Sequence, residues 1–187
     1  MTNRCHAHCI AFLRKIDAGD IAADDAVSLM IGISKTAQET MGGTSGALYS
    51  CVISNEIEQC HRNSYPNRIF FSALAQGIQV SARDSEITSE GWGQALVTAR
   101  DKLYTYTRAR PPSRTLVDPL AAFIETYKDT QGNYFASVKA AAEAAEATTD
   151  VDAKAGRSAY VENARLKMER IPDPGAWGVK IILENLG

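Results

Sequence analysis

Apolar residues recur at spacings of three and four along most of this chain, which is typical of helices with one buried face. No convincing stretch alternates apolar and polar residues as a half-buried strand would. The periodic segments cover residues 5–17, 25–41, 47–59, 68–82, 90–107, 118–128, 134–149 and 174–185. We therefore expect an all-α fold, an antiparallel up-down helical barrel or bundle of seven to nine helices.

Residues with side-chain oxygens stand where several of these helices should begin, and such residues cap helix N-termini. The final helix has the clearest start, because Asp173 is followed by Pro174, which suits a first helical turn. Two other helix starts are less specific. Ser89 is the candidate cap of the helix at 90–107, and Ser113 and Asp118 are alternative caps for the helix at 118–128. The remaining candidates precede the second helix: Asp24 and Asp25.

Length and composition limit the possible functions. A chain of 187 residues with 45% hydrophobic residues is sufficient for one domain, which we assign to residues 1–187. The net charge of −2 argues against nucleic acid as a partner. No apolar run reaches the roughly 18 residues of a membrane span. The first residues lack a signal-peptide pattern, so the four cysteines are expected to be reduced thiols in the cytoplasm.

The sequence GGTSG at residues 42–46 interrupts the helical pattern. Gly43 would let the backbone approach an anion, and Thr44 and Ser45 would add hydroxyl donors at the start of a helix, where phosphate is favoured. The alternative is a plain turn with a capped helix. The sequence DPGA at residues 173–176 has the same two interpretations, and Arg157 is either a phosphate ligand or a surface residue.

Two clusters could suggest a metal site. Four aspartates surround the first break, and we interpret them as caps and loop charges: Asp17, Asp20, Asp24 and Asp25. Cys5, His6, His8 and Cys9 lie close together near Met1, with Cys60 and His61 as further candidates. Their spacing matches no common zinc signature. We therefore assign no metal ligands.

Four segments together resemble the nucleotide-binding (L-type) domain of dihydroxyacetone (glycerone) kinases, most closely the fungal single-chain kinases. The segments are MGGTSGALYS at 41–50, YTRARPPSRTLVDPLAAFIE at 106–125, AGRSAY at 155–160 and IPDPGAWGV at 171–179. The resemblance implies an eight-helix barrel that holds ATP at one rim. In that arrangement Gly43, Thr44, Ser45 and Arg157 approach the phosphates.

The same resemblance implies a second set of contacts, away from the phosphates. Thr115 and Leu116 would line the nucleotide pocket, and Asp173, Pro174 and Gly175 would close its adenine side. Since alternate connections of an up-down bundle meet at one end, the breaks at residues 44, 115 and 175 should share a rim. Residues 51–68 have no counterpart in the family pattern, so we expect an insertion that forms a loop or a short helix.

By resemblance the function is phosphoryl transfer from ATP to dihydroxyacetone in glycerol metabolism, with dihydroxyacetone held by another domain or subunit. The family binds Mg²⁺ through a G-D-G-D motif before the helix predicted to be first, where this sequence has MTNRCHAHC without an aspartate. We therefore expect the Mg²⁺ ligands to be missing and the chain alone to be inactive or weakly active. The alternative function is a non-catalytic helical module that binds a nucleotide, a partner or a second copy of the chain.

Overall fold

The computed structural model describes residues 10–11, 13–22, 24–40, 70–81, 86–154 and 168–186. Within these ranges residues 10–11 and 13–17 are helical, and six further helices have defined bounds: α1 Ala26–Thr40, α2 Phe70–Ser81, α3 Ser89–Tyr106, α4 Val117–Asp129, α5 Tyr134–Ala147 and α6 Pro174–Glu184. None of the described residues is in a strand, so the all-α prediction is confirmed. The insertion at 51–68 and the segment at 41–50 lie outside the described residues.

The chain forms two compact units, Met1–Tyr106 and Thr107–Gly187. In the N-terminal unit α2 packs against both α1 and α3. Small residues bring the helices close together, because a Cβ atom added to Gly77 would lie 2.7 Å from the Cα atom of Ala95. The side chain of Ile21 covers Gly32 in the same way, with its Cγ2 atom 2.6 Å from an added Cβ. The barrel arrangement and the single domain remain predictions.

Two helix starts in this unit are capped by side chains. The amide of Ser28 donates to Oδ2 of Asp25 at 2.7 Å, which confirms Asp25 as a cap. Hydrogen bonds from the side chain and the backbone amide of Ser28 lower the pKa of the Asp25 carboxyl. At α3 the amide of Gly91 donates to Oγ1 of Thr88 at 3.1 Å. The prediction of Ser89 as the cap is wrong, because Ser89 is already the first helical residue.

In the C-terminal unit each of α4, α5 and α6 contacts the other two. Its core includes Phe123 and Ile124 of α4 and the small residues Ala141 and Ala145 of α5, all of them buried. Tyr134, the first residue of α5, donates its hydroxyl to the carbonyl oxygen of Leu183 in α6 at 2.6 Å. Burial raises the pKa of the Tyr134 hydroxyl.

Residues 107–116 connect to α4 without helical structure, as the paired prolines at 111 and 112 predict. Helix α4 begins at Val117, so the prediction that Ser113 or Asp118 is its N-cap is wrong. Asp118 lies inside the first turn and accepts hydrogen bonds from residues that precede the helix. The α4–α5 turn ends at Asn133, whose Oδ1 accepts from the amide of Ala136 at 3.0 Å.

In the part of the chain that the structure describes, every helix is too short or too polar to cross a membrane. The cytoplasmic location stays a prediction.

Candidate functional site

The loop that precedes α4 is folded around the carboxylate of Asp118. The amide of Ser113 donates to its Oδ1 atom at 2.8 Å, and the amide of Thr115 donates to its Oδ2 atom at 2.7 Å. The hydroxyls of Ser113 and Thr115 lie 3.3 and 3.2 Å from the same Oδ2 atom. Since Asp118 is buried, these bonds satisfy a carboxylate that would otherwise be costly to desolvate. They fix Thr115 at the entrance to α4.

Arg114 lies between these two loop residues and is only 1% exposed. Its backbone φ is +58°, in the left-handed region that non-glycine residues rarely adopt, at a cost of roughly 1–3 kcal/mol. Its Nε atom donates to the carbonyl oxygen of Thr148 at 3.0 Å, and an Nη atom donates to the carbonyl oxygen of Ile171. The buried guanidinium therefore connects the loop to the end of α5 and to the segment before α6.

Asp173 caps α6 as the sequence predicts. Its Oδ1 atom accepts from the amides of Gly175 at 2.9 Å and Ala176 at 3.0 Å, and Pro174 is the first residue of the helix. The amide of Asp173 itself donates to Oγ1 of Thr148 at 3.0 Å. Thr148 thus contacts Arg114 through its carbonyl and Asp173 through its hydroxyl.

The cap of α6 argues against one of the two interpretations of the DPGA sequence, that of an anion held at this helix start. A helix N-terminus binds phosphate through free amides and a partial positive charge. At α6 the amides of Gly175 and Ala176 already donate to a carboxylate, and that carboxylate carries a negative charge. This end of α6 is a capped helix start that disfavours a second anion.

The two loop segments meet directly at Leu116 and Gly175. A Cβ atom added to Gly175 would lie 3.2 Å from Cβ and 3.6 Å from Cδ2 of Leu116, and 3.0 Å from Oδ1 of Asp173. Leu116 and Gly175 are half-buried, and Pro174 is exposed. The contact therefore presents a partly exposed apolar surface whose close fit depends on the missing side chain of Gly175.

The structure brings one of the two predicted groups of site residues together. Five of them lie in the C-terminal unit and form the surface just described, which we name the 116–175 wall: Thr115, Leu116, Asp173, Pro174 and Gly175. The predicted phosphate contacts lie outside the described residues: Gly43, Thr44, Ser45 and Arg157. The binding roles of both groups, and the shared rim, stay predictions.

Two residues that hold the wall were not identified from the sequence. Thr148 follows an alanine-rich helix in a run of hydroxyl residues, which gives no sign of two long-range bonds. Arg114 stands among other arginines, and arginine is almost never fully buried unless it is paired. The sequence held one sign that the loop before α4 is fixed. Asp118 lies three residues after Thr115, and this spacing suits hydrogen bonds from the preceding amides to its carboxylate.

The described residues contain no group of three or more histidine, cysteine, aspartate or glutamate side chains that could hold a metal ion. Asp17, Asp20 and Asp24 are exposed, and Asp25 is a helix cap. The cysteine and histidine cluster at residues 5–9, with residues 60 and 61, lies outside the described ranges. The expectation that Mg²⁺ ligands are missing stays a prediction.

Comparison with known proteins supports the resemblance at the level of the family. Residues 5–187 match the DAK2 domain. The chain is 39% identical over 166 residues to dihydroxyacetone kinase 2 of Saccharomyces cerevisiae, which covers 87% of this chain and 25% of the relative. It is 34% identical over 186 residues to the dihydroxyacetone kinase of Pichia angusta, covering 96% and 27%.

A more distant relative is the triokinase/FMN cyclase of Homo sapiens, which is 30% identical over 165 residues, covering 84% of this chain and 24% of the relative. The chain spans about a quarter of the length of these relatives. The predicted likeness to dihydroxyacetone kinases is thus confirmed, whereas the finer assignment to the L-type domain stays a prediction. The match over nearly the whole sequence shows that the chain belongs to the DAK2 domain family.

Proposed function

We propose that this chain is the ATP-binding domain of a dihydroxyacetone kinase and serves phosphoryl transfer from ATP to dihydroxyacetone. The proposal is supported by membership of the DAK2 domain family and by the names of the fungal relatives. Because the chain spans about a quarter of those relatives, the proposal assigns it nucleotide binding and assigns dihydroxyacetone to another domain or subunit.

The observation that carries the proposal is the contact between Leu116 and Gly175. These residues belong to two separate segments that resemble nucleotide-binding motifs, and the chain brings them so close that a Cβ added to Gly175 would lie 3.2 Å from Cβ of Leu116. In our proposal the adenine base lies against this surface.

The charge distribution at the 116–175 wall suits a base better than a phosphate. Leu116, Gly175 and the exposed Pro174 are apolar, and the Asp173 carboxylate opposes a nearby anion. In the proposal the phosphates therefore extend away from α6, and the hydroxyls of Thr44 and Ser45 would donate to them. Kinases accelerate phosphoryl transfer mainly by positioning the nucleotide and neutralising charge, and separate sites for the base and the phosphates serve these two tasks.

Further parts of the proposal concern the phosphates and the metal. Gly43 would let the backbone approach the triphosphate, and Arg157 would donate its planar fork to it. Mg²⁺ would accompany the triphosphate, and we assign none of the described residues as its ligand. The Mg²⁺ would supply charge neutralisation on the phosphate oxygens when bound.

Calorimetric titration of Mg–ATP tests the proposal with two matched glycine variants. The intact chain should bind with a dissociation constant between about 1 µM and 1 mM, the range common for enzyme substrates. Gly175→Ala should weaken binding about tenfold, or about 1.4 kcal/mol, because its Cβ would displace Leu116 or Asp173. Gly178→Ala lies on the same helix, where nothing is within 4 Å of an added Cβ, and should bind like the unaltered chain.

Absence of heat at millimolar nucleotide would refute the proposal, as would equal affinities for all three proteins. Addition of dihydroxyacetone to the ATP-bound chain then separates the two functions expected from the sequence. Formation of phosphorylated dihydroxyacetone together with ADP indicates a chain that transfers phosphate by itself. Binding without turnover indicates a nucleotide-binding module that requires another domain or subunit.

A further inference from the structure

Arg114 joins the two segments that form the 116–175 wall. From the loop before α4 it donates to the carbonyl oxygens of Thr148 and Ile171. The second acceptor precedes Asp173 by two residues, and the first belongs to the residue whose hydroxyl accepts from the Asp173 amide. Arg114 therefore contacts the α6 start by two routes, one direct and one through Thr148.

The side chain is committed to these contacts. It is 1% exposed, so it is not available to a ligand at the surface. A guanidinium presents several N–H donors in a fixed plane, so it can bind two carbonyls from different segments and set their separation. A charged donor also forms stronger hydrogen bonds to carbonyls than a neutral one. The geometry is that of a brace between two segments.

The neighbours of Arg114 are held from the other side. Asp118 binds the amides of Ser113 and Thr115, so the backbone on each side of Arg114 is fixed to α4. Arg114, with φ at +58°, donates to the carbonyl oxygens of Thr148 after α5 and Ile171 before α6. Its two neighbours bond instead to Asp118 in α4. Leu116, two residues after Arg114, is thereby held at a fixed distance from Gly175.

We propose that Arg114 is a positioning residue of the nucleotide site: its buried guanidinium sets the spacing between Leu116 and Gly175 without contacting the nucleotide. This inference rests on the proposed function for its ligand and on the hydrogen bonds of Arg114 for its mechanism. A positioning role differs from a general stabilising role in its consequence. Loss of the Arg114 side chain should separate the loop before α4 from the start of α6, while α5 and its contact with α4 remain folded.

The test uses Arg114→Met, which removes the charged fork, and Arg114→Lys, which keeps the charge but not the planar pair of donors. Arg110→Met is the matched control, since Arg110 also donates to two carbonyl oxygens, those of Thr107 and Ala109, but both lie within its own loop. Circular dichroism selects a temperature at which each variant is folded. Arg114→Lys keeps the test available if Arg114→Met does not fold.

Hydrogen exchange measured by mass spectrometry without nucleotide gives the first readout. Arg114→Met should raise exchange at least tenfold at residues 113–118 and 171–176 and leave residues 137–145 of α5 within twofold. ATP and ADP affinities give the second readout. Both should fall about tenfold in Arg114→Met, fall less in Arg114→Lys, and stay within twofold in Arg110→Met.

Exchange that rises uniformly through the C-terminal unit would overturn the inference, because that outcome indicates a residue needed only for stability. Local exchange with unchanged nucleotide affinity would also overturn it. If the unaltered chain binds no nucleotide, the proposed function fails, and the exchange readout alone decides whether Arg114 braces the two segments.

Discussion

In the N-terminal unit Gly77 of α2 lies against the backbone of Ala95 in α3. In the C-terminal unit, by contrast, Asp118 binds the loop just before α4, and Arg114 binds carbonyl oxygens of residues that are distant in sequence. The first kind of contact lets two helices approach closely and depends on the absence of a side chain. The second depends on named donors and acceptors that must all be present. Close packing of small residues sets how near two helices lie, and buried hydrogen bonds set where each loop atom lies.

The two kinds of contact differ in how well they support a binding site. A ligand that is recognised by loop atoms requires those atoms to hold fixed positions, and a fully satisfied polar network makes a region rigid and specific. The residues predicted to contact the adenine side fall in the unit where such a network is described. Arg114, Thr148 and Asp173 connect the loop, the end of α5 and the start of α6.

The largest effect should follow removal of the Asp118 carboxylate. Asp118→Ala leaves the amides of Ser113 and Thr115 without their acceptor, and an unsatisfied buried group costs about 1–3 kcal/mol. We expect the free energy of unfolding to fall by about 3 kcal/mol in urea denaturation. Asp118→Asn keeps one carbonyl oxygen and should lose about half as much. No loss of stability in Asp118→Ala would show that the paired acceptors are unimportant.

The helix contact in the N-terminal unit should be sensitive to a single added methyl group. In Gly77→Ala the new Cβ would lie 2.7 Å from the Cα of Ala95, and overpacking of this kind costs about 1–3 kcal/mol. The alanine also gains about 1 kcal/mol of helix propensity, so we expect a net loss of about 2 kcal/mol at most. Gly178→Ala, which adds its methyl in open space, should instead gain stability. A gain in both variants would mean that α2 and α3 are not closely packed.

Tyr134 gives a smaller effect with a defined pH dependence. Tyr134→Phe removes the bond to the Leu183 carbonyl and should lower the free energy of unfolding by about 1 kcal/mol at pH 7. Burial raises the pKa of Tyr134 above 10.0, so the folded state favours the neutral hydroxyl. Its contribution is present below pH 10 and is lost as the pH rises through the raised pKa. A difference between the two proteins that stays constant up to pH 11 would contradict this account.

The smallest effect concerns the exposed cap of α1. Asp25→Ala should lower stability by about 0.5–1 kcal/mol at pH 7, because the Ser28 amide loses its acceptor. The pKa of Asp25 is lowered from 3.8, so the contribution is present above that value and is lost as the pH falls through the folded pKa. Urea denaturation at several pH values measures the difference. Asp25→Asn keeps a capping oxygen without the charge. Its free energy of unfolding at pH 7 should equal that of the unaltered chain, and it should not show the loss of stability at low pH.

Helix starts could be predicted from the sequence where one residue was clearly the best N-cap candidate. Asp173 followed by Pro174 is an unambiguous start, and the structure has that cap. Thr88 and Ser89 are adjacent hydroxyl residues, and local sequence does not say which of them precedes the first helical turn. The same limit applies to Asp118, since an aspartate before a proline suits either a cap or a first-turn acceptor.

The sequence predicted the residues of the candidate site that lie in recognisable motifs, and it did not predict the residues that hold them in place. The resemblance and the helix order predicted one rim for Leu116 and Gly175 but not the Arg114 contacts that join their segments, because Arg114 acts across segments that are distant in sequence. A buried arginine looks like a surface arginine when only the sequence is read. Its partners are backbone carbonyls, which every residue has, so no side-chain pattern marks them.

The most direct test of the account is a nuclear magnetic resonance titration with Mg–ATP that follows the amide signals of Leu116 and Gly175 together. We expect both signals to shift along one binding curve with a common dissociation constant, while the signal of the Ala141 amide in the buried face of α5 does not shift. If ATP binds and neither signal responds, or if only one of them follows the curve, the 116–175 wall is not the adenine site.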